Sequence, residues 1–166
     1  MSTDFESHIA LGNELSRAGK YDEAIAHFRL LFDESPDDPR VLYEYGGAFD
    51  SAGREDEAIP LYRQALEKGL SSDYLPLLYL QLASSLRNVG QLAEAITILE
   101  DACRQYPERS SLKFFLALAL ESAERSHDAL TTLFELAIAH VDTVDMKRYA
   151  RSIRGYVDDR LDPTAG

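Results

Sequence analysis

Histidine, cysteine and carboxylate side chains are the residues of this sequence best suited to catalysis or metal binding. The four histidines, His8, His27, His127 and His140, are scattered and form neither an HExxH motif nor another metal-ligand spacing. The single cysteine, Cys103, has no evident histidine or asparagine partner, so we interpret it as a buried apolar thiol rather than a nucleophile. No catalytic constellation emerges from these residues.

Phosphate-binding motifs are also missing from the sequence, which contains neither GxGxxG nor GxxxxGK followed by Ser or Thr. Gly46 and Gly47 fall inside a predicted helix, which favours close helix packing over a phosphate site. Asp37 and Asp38 fall at a predicted helix end, where capping and solvation account for them. We therefore predict that the protein is not an enzyme and holds neither a cofactor nor a metal ion.

The charge of the chain limits its partners. The formal net charge is −12, and such a chain is repelled by nucleic acids and anionic membranes, so we predict neither as a partner. Basic residues nevertheless concentrate near the C-terminus, at Lys147, Arg148, Arg151, Arg154 and Arg160. We interpret them as part of a mixed helix surface, with a site for an anion or an acidic partner as the alternative.

Three features favour a cytoplasmic protein. One cysteine excludes an internal disulfide framework. The first 21 residues carry acidic side chains where a signal peptide has a basic start and an apolar stretch. In addition, no run approaches the roughly 18–20 apolar residues that a membrane span requires.

Internal repeats indicate the architecture of the chain. Four segments align, with the sequences GKYDEAIAHF, GREDEAIPLY, GQLAEAITIL and ERSHDALTTL. Their shared alanines, Ala24, Ala58, Ala95 and Ala129, are 34, 37 and 34 residues apart. A period of about 34 residues is typical of helix–turn–helix pairs that stack in an array.

The repeated pattern resembles the tetratricopeptide repeat (TPR) family. Small residues lie on the first helix of each repeat, at Gly12, Gly46, Ala83 and Ala117, where they let helix backbones approach closely. The resemblance implies an all-α fold, an α-α superhelix (TPR solenoid) of four helix-turn-helix repeats with a C-terminal capping helix. The implied boundaries within a single domain, 1–166, are about 5–38, 39–72, 76–109 and 110–143 for the repeats and about 144–161 for the cap.

Glycine occupies the turn inside three of the four repeats, at Gly19, Gly53 and Gly90, where a left-handed C-cap suits it. The fourth repeat has Glu124 instead, so we expect a turn that is differently shaped or less stable. After the cap, the last five residues, DPTAG (162–166), are expected to fray.

Two longer stretches, QLASSLRNVGQLAEAI and FFLALALESAERSHDAL, are similar to a small bacterial TPR family that pairs such repeats with a C-terminal helix. That family has no assigned activity to carry over to this chain. The similarity implies a bacterial origin and agrees with a cytoplasmic location.

Stacked TPR units are expected to bind on the concave face, which the first helix of each repeat lines. The predicted apolar strip on this face consists of Tyr43, Leu80, Phe114 and Leu118. The hydrogen-bonding side chains predicted to flank it are Asn13, Arg17, Gln81 and Arg87. We predict a scaffold that binds a peptide or helix of a partner protein here. One alternative is that the C-terminal helix covers the strip. The other is that a second copy of the chain covers it, so that the protein is a structural module acting through homo-oligomerisation.

Overall fold

A computed structural model describes residues 3–161 of the chain, with the side chains of residues 4–157. Within these bounds the chain forms nine α-helices and no strand. The helices are α1 (Thr3–Arg17), α2 (Tyr21–Glu34), α3 (Pro39–Ser51), α4 (Glu55–Glu67), α5 (Leu75–Asn88), α6 (Leu92–Gln105), α7 (Ser110–Ser122), α8 (Ser126–His140) and α9 (Val144–Leu161). In chain order they make four helix–turn–helix pairs and a final helix, which confirms the predicted fold class. The predicted fraying of 162–166 lies outside the described residues.

The helices belong to two compact units, Met1–Gln91 with α1 to α5 and Leu92–Gly166 with α6 to α9. Each unit buries its own apolar side chains, for example Phe28 in the first and Leu112 in the second, both 0% exposed. The boundary at residue 91 falls between α5 and α6, the two helices of the third predicted repeat.

The start of helix α3 is set by local chemistry. Pro39 is its first residue, a position where the missing backbone N–H costs no hydrogen bond. Asp38 caps the helix because its Oδ1 accepts hydrogen bonds from the backbone N–H of Arg40, at 2.8 Å, and of Val41, at 3.2 Å. The register of every α3 side chain follows from this start.

Two glycines of the first unit allow helices to pack closely within a hairpin. A Cβ atom on Gly12 would overlap the ring of Phe28, which is fully buried between α1 and α2. A Cβ atom on Gly46 would lie 2.8 Å from the ring of Tyr62, also fully buried. These contacts explain why the first helix of repeats 1 and 2 carries glycine at this position.

The turn of the fourth pair has the same shape as the glycine turns, so the expectation of a different shape is wrong, while the alternative expectation of a less stable turn stays a prediction. Glu124 has a φ of +60°, in the left-handed region that Gly53 occupies with a φ of +69°. Its N–H donates to the carbonyl of Glu121 at 3.0 Å, and the next N–H, from Arg125, donates to Leu120 at 2.9 Å. Because the same two bonds close the turn at Gly53, the geometry is kept and the glutamate bears the strain.

Replacing Glu124 with glycine is therefore expected to stabilise the chain by about 1 kcal/mol, since a non-glycine residue in this conformation costs about 1–2 kcal/mol. Urea unfolding followed by circular dichroism measures the change. The matched control is Glu124→Ala, which removes the charge but keeps Cβ and should gain little. Equal stability of the two variants would show that strain at this turn is not the cause.

In the second unit α7 and α8 form a tight hairpin in which Ala117 and Ala129 are almost fully buried. Helix α9 then packs along α8, with Val157 buried at 5% exposure. None of the helices in the described part of the chain combines the length and the apolar character needed to cross a bilayer.

Candidate functional site

A groove opens on the first unit where α3 lies beside both α1 and α5. We call it the α3 groove, and its cavity measures about 280 Å³. Polar side chains make up most of its border, which consists of Asn13, Ser16, Arg17, Tyr43, Glu44, Gly47, Ser51 and Gln81. On α1 and α3 the lining residues recur every three or four positions, with an adjacent pair on each helix, so successive turns present them to one side.

An ion-pair network ties the three helices together at this groove. Glu44 is a buried carboxylate with 8% exposure. Its Oε1 accepts a hydrogen bond from Arg40 Nε at 2.6 Å, and its Oε2 accepts one from Asn13 Nδ2 at 3.0 Å. The guanidinium of Arg40 also lies 3.8 Å from the ring centroid of Tyr74, just before α5. Glu44 is therefore compensated within the protein and belongs to the frame of the groove.

The sequence analysis did not predict the pairing of Arg40 with Glu44. The available signal was the spacing of the two residues, because opposite charges four positions apart on a helix lie on the same face. No comparable sequence signal predicts the hydrogen bond from Asn13 to Glu44, because these two residues lie on different helices and 31 positions apart in the chain.

A second polar contact joins α3 to α5 under the α3 groove. Ser85 Oγ donates its hydrogen bond to Asp50 Oδ1 at 2.7 Å and also lies 3.0 Å from the backbone carbonyl oxygen of Gln81. Burial raises the pKa of the Asp50 carboxyl above its usual range, and the bond from Ser85 partly offsets this effect. Together with the network at Glu44, this contact holds the three helices at fixed spacing.

Tyr43 borders the α3 groove with only a small part of its side chain. It is 6% exposed, and its ring packs against those of Tyr62 and Tyr74, with centroids 6.2 and 5.9 Å away. Burial raises the pKa of its hydroxyl, so the phenol stays neutral. Most of Tyr43 therefore supports the groove, and the surface available to a partner here is more polar than the strip predicted from the sequence.

The structure brings four of the eight predicted partner-binding residues to the α3 groove, namely Asn13, Arg17, Tyr43 and Gln81. Leu80 and Arg87 lie on α5 of the same unit but do not border the cavity. Phe114 and Leu118 lie on α7 in the second unit and border a separate apolar cavity of about 310 Å³. A continuous apolar strip through all four repeats stays a prediction.

Gly47 leaves part of the α3 groove bare. A Cβ atom on Gly47 would meet a single neighbour, the hydroxyl of Tyr62 at 3.9 Å, whereas one on Gly46 would collide with the Tyr62 ring. Close packing thus explains Gly46 and does not explain Gly47, which corrects our interpretation of the pair. Glycine inside a helix costs about 0.5–1 kcal/mol relative to alanine. Its presence at a groove suits close approach by another chain.

The residues first considered for chemistry are not assembled into a site within the described residues. No three His, Cys, Asp or Glu side chains there are grouped to hold a metal ion. Cys103 is partly buried, and burial raises the pKa of its thiol, so it is protonated at neutral pH. His8 and His27 stack on each other with ring centroids 5.7 Å apart, a structural contact between α1 and α2.

Known proteins share this architecture. DnaJ homolog subfamily C member 3 of Rattus norvegicus is 27% identical over 113 residues, which are 68% of this chain but 22% of that protein, so the chain spans about a fifth of its length. MamA (41-end) from Desulfovibrio magneticus RS-1 has a TM-score of 0.71 at 16% identity, covering 97% of this chain and 89% of its own. YrrB, described as a TPR protein with an unusual peptide-binding site, has a TM-score of 0.60 at 17% identity, covering 93% and 88%. At such identities the structural likeness shows the fold alone.

Matches to family models decide the family. The model described as Tetratrico peptide repeat matches residues 39–160, and one described as Tetratricopeptide repeat matches residues 5–48. The first match alone covers more than half of the 166 residues. It agrees with the helix pairs and with the close contact of Gly46 and Tyr62. The chain therefore belongs to the tetratricopeptide repeat family.

Proposed function

We propose that this protein is an interaction scaffold that binds an extended peptide segment of a partner protein in the α3 groove. The observation that carries the proposal is the groove itself, a polar surface shared by three helices with a bare patch at Gly47. Family membership supports a scaffold, and the peptide-binding site of YrrB, which has the same fold, supports a peptide as the ligand.

An extended peptide fits the chemistry of the α3 groove better than an apolar helix does. Such a peptide presents backbone N–H and C=O groups in alternation, which need hydrogen-bond partners when they leave water. Ser16, Ser51 and the amide of Gln81 supply neutral donors and acceptors along the groove. Gln81 Oε1 is buried and has no hydrogen-bond partner among the described residues, so the Gln81 amide has unused hydrogen-bonding capacity at the groove.

The charge at the α3 groove favours one type of residue in the bound peptide. Arg17 is an exposed cation at the edge of the α3 groove, while the carboxylate of Glu44 is already paired with Arg40 at 2.6 Å. The charge that the groove offers a ligand is therefore positive. We expect a bound peptide to carry an acidic residue beside Arg17.

The experiment selects peptides that bind the full chain from a displayed library of random sequences and measures their affinity by fluorescence polarisation. Gly47→Leu is expected to weaken a selected peptide at least about tenfold, because the new side chain projects into the α3 groove. The matched control is Ala26→Leu, which adds the same side chain at an exposed position of α2. Equal affinity of both variants would contradict binding in the groove, as would a library that yields no binder.

Homo-oligomerisation, the alternative predicted from the sequence, is favoured by a different observation. Large apolar side chains of the second unit are exposed, among them Phe114 at 48% and Tyr156 at 70%.

A further inference from the structure

The second unit carries an apolar pocket between α7 and α8, which we call the α7–α8 pocket. Its cavity of about 310 Å³ is bordered by Phe114, Leu118, Leu130 and Leu133, with Glu121 as its charged residue. Three of these apolar side chains are substantially exposed, Phe114 at 48%, Leu118 at 36% and Leu130 at 44%. An exposed apolar concavity rimmed by polar groups is typical of a surface that another helix covers.

The first unit shows what covers the equivalent position in its own repeats. Counting from the shared small residue of each repeat, Ile9 and Tyr43 correspond to Phe114. Ile9 is 2% exposed, and its cluster includes Ala48 of α3, while Tyr43 is 6% exposed and packs on Tyr74 at the start of α5. The first helix of the following repeat shields this position in the first case, and the residue that precedes that helix shields it in the second.

In chain order α9 is the helix that follows the α7–α8 pair, but it does not cover the α7–α8 pocket. In the part of the chain that the structure describes, α9 packs against α8 and makes no comparable contact with α7. The side chains that α9 turns toward α8 include Val157, at 5% exposure. The α7–α8 pocket thus keeps the shape of a helix-binding surface without a helix from its own chain.

A second exposed apolar surface lies on α9 itself. Tyr149 and Tyr156 are seven residues apart, so they share one face of the helix, and they are 52% and 70% exposed. The small residues Ser152 and Gly155 lie between them. Tyrosine at such exposure is common in protein interfaces because its ring buries a large apolar area while its hydroxyl keeps a polar partner.

The charges of the two surfaces are complementary. Residues 110–140, which form α7 and α8, carry the acidic side chains Glu121, Glu124, Asp128 and Glu135 against the basic Lys113 and Arg125. Residues 144–157 of α9 carry the reverse excess, with Lys147, Arg148, Arg151 and Arg154 against Asp145. An α9 helix is therefore attracted to the acidic surroundings of the pocket.

The other candidate from a second copy, α1, does not fit the pocket. Helix α3 packs on the preceding pair, α1 and α2, through Val41 and Ala48, which are 0% and 1% exposed. The residues of α1 at these two positions are Ser7 and Glu14, both exposed. A head-to-tail stack would bury the carboxylate of Glu14 against apolar side chains, which is strongly unfavourable for an unpaired charge. Of these two helices of a second copy, α9 is therefore the one that suits the pocket.

We propose that two copies of the chain associate through their second units, with α9 of each copy covering the α7–α8 pocket of the other. Tyr149 and Tyr156 contact Phe114, Leu118 and Leu130 across the interface. Because each copy contributes both surfaces, the arrangement is twofold and closes as a dimer. The interface lies within residues 110–157 and does not depend on the α3 groove.

Sedimentation velocity of the full chain over a range of concentrations tests the proposal. The wild-type chain is expected to form a dimer, and Leu118→Glu and Tyr156→Glu are each expected to shift it to a monomer at the same concentration. The matched control is Leu30→Glu, which places the same charge at a 64% exposed leucine of α2 and should leave the dimer intact. Circular dichroism checks that all variants keep their helices.

Charge reversal distinguishes this interface from a general apolar association. Glu121→Arg and Arg148→Glu are each expected to weaken the dimer about tenfold, and the double variant is expected to recover part of that loss. A wild-type chain that stays monomeric overturns the proposal, and so does a dimer that Leu118→Glu and Tyr156→Glu leave unchanged. Gly47→Leu should dimerise like the wild type, so a failure of peptide binding and a failure of dimerisation are distinguishable.

Discussion

Replacing Arg40 with methionine is expected to destabilise the chain by about 3 kcal/mol, because the substitution leaves the buried carboxylate of Glu44 without its cation. The side chains of Arg40 and Glu44 are 13% and 9% exposed, so water compensates little of the lost interaction. Methionine has a similar length and retains much of the contact with the Tyr74 ring. The expected loss of stability therefore comes mainly from the unpaired charge of Glu44.

Urea unfolding of the single and double variants separates charge from packing. In Arg40→Met combined with Glu44→Gln, residue 44 is neutral and can still accept the hydrogen bond from Asn13, so much of the lost stability should return. The variant Arg29→Met, at an exposed arginine of α2, is the control and should change stability little. A double variant as unstable as Arg40→Met alone would show that uncompensated charge is not the cause.

The neighbouring glycines of α3 are expected to respond in opposite directions to the same substitution. Gly46→Ala should destabilise the chain by about 2 kcal/mol, because the new Cβ atom meets the Tyr62 ring at 2.8 Å and that ring is fully buried. Gly47→Ala should stabilise it by about 0.5–1 kcal/mol, because alanine favours the helix and its Cβ atom meets nothing closer than 3.9 Å.

The two alanine variants serve as controls for each other, since they share a helix, a substitution and almost the same sequence context. Urea unfolding under identical conditions gives the two changes in stability. Stabilisation by both substitutions would mean that Gly46 is not needed for the approach of α3 to α4. Destabilisation by both would mean that Gly47 has a packing role inside the protein, and its part in the α3 groove would then lose its support.

Dimerisation and peptide binding are separable properties in this view of the molecule. We propose that the α3 groove of the first unit binds polar backbone groups, and that the α7–α8 pocket of the second unit binds an apolar helix face. If both hold, a dimer would present two α3 grooves, and a partner with two copies of the peptide would bind it more tightly through avidity.

The helical architecture could be predicted from the sequence because its determinants are local and repeated. The alanines from Ala24 to Ala129 recur with a period close to 34 residues, and Asp38 before Pro39 is a cap signal contained in adjacent residues. Helical register also predicted that Asn13, Arg17 and Gln81 lie on one side of their helices. These three residues do border one groove, since register follows from the 3.6-residue turn.

Only the tertiary structure decided how those side chains are used, because register gives a direction and not a distance to the next helix. Tyr43 points as predicted, yet the approach of Tyr74 buries it. Glu44 is compensated because Arg40 and Asn13 reach it from two helices. The left-handed turn at Glu124 depends on the hairpin that closes around it. The exposure of Phe114 depends on where α9 packs. Local periodicity in the sequence determines the repeat. Contacts between helices determine how polar and how exposed each surface is.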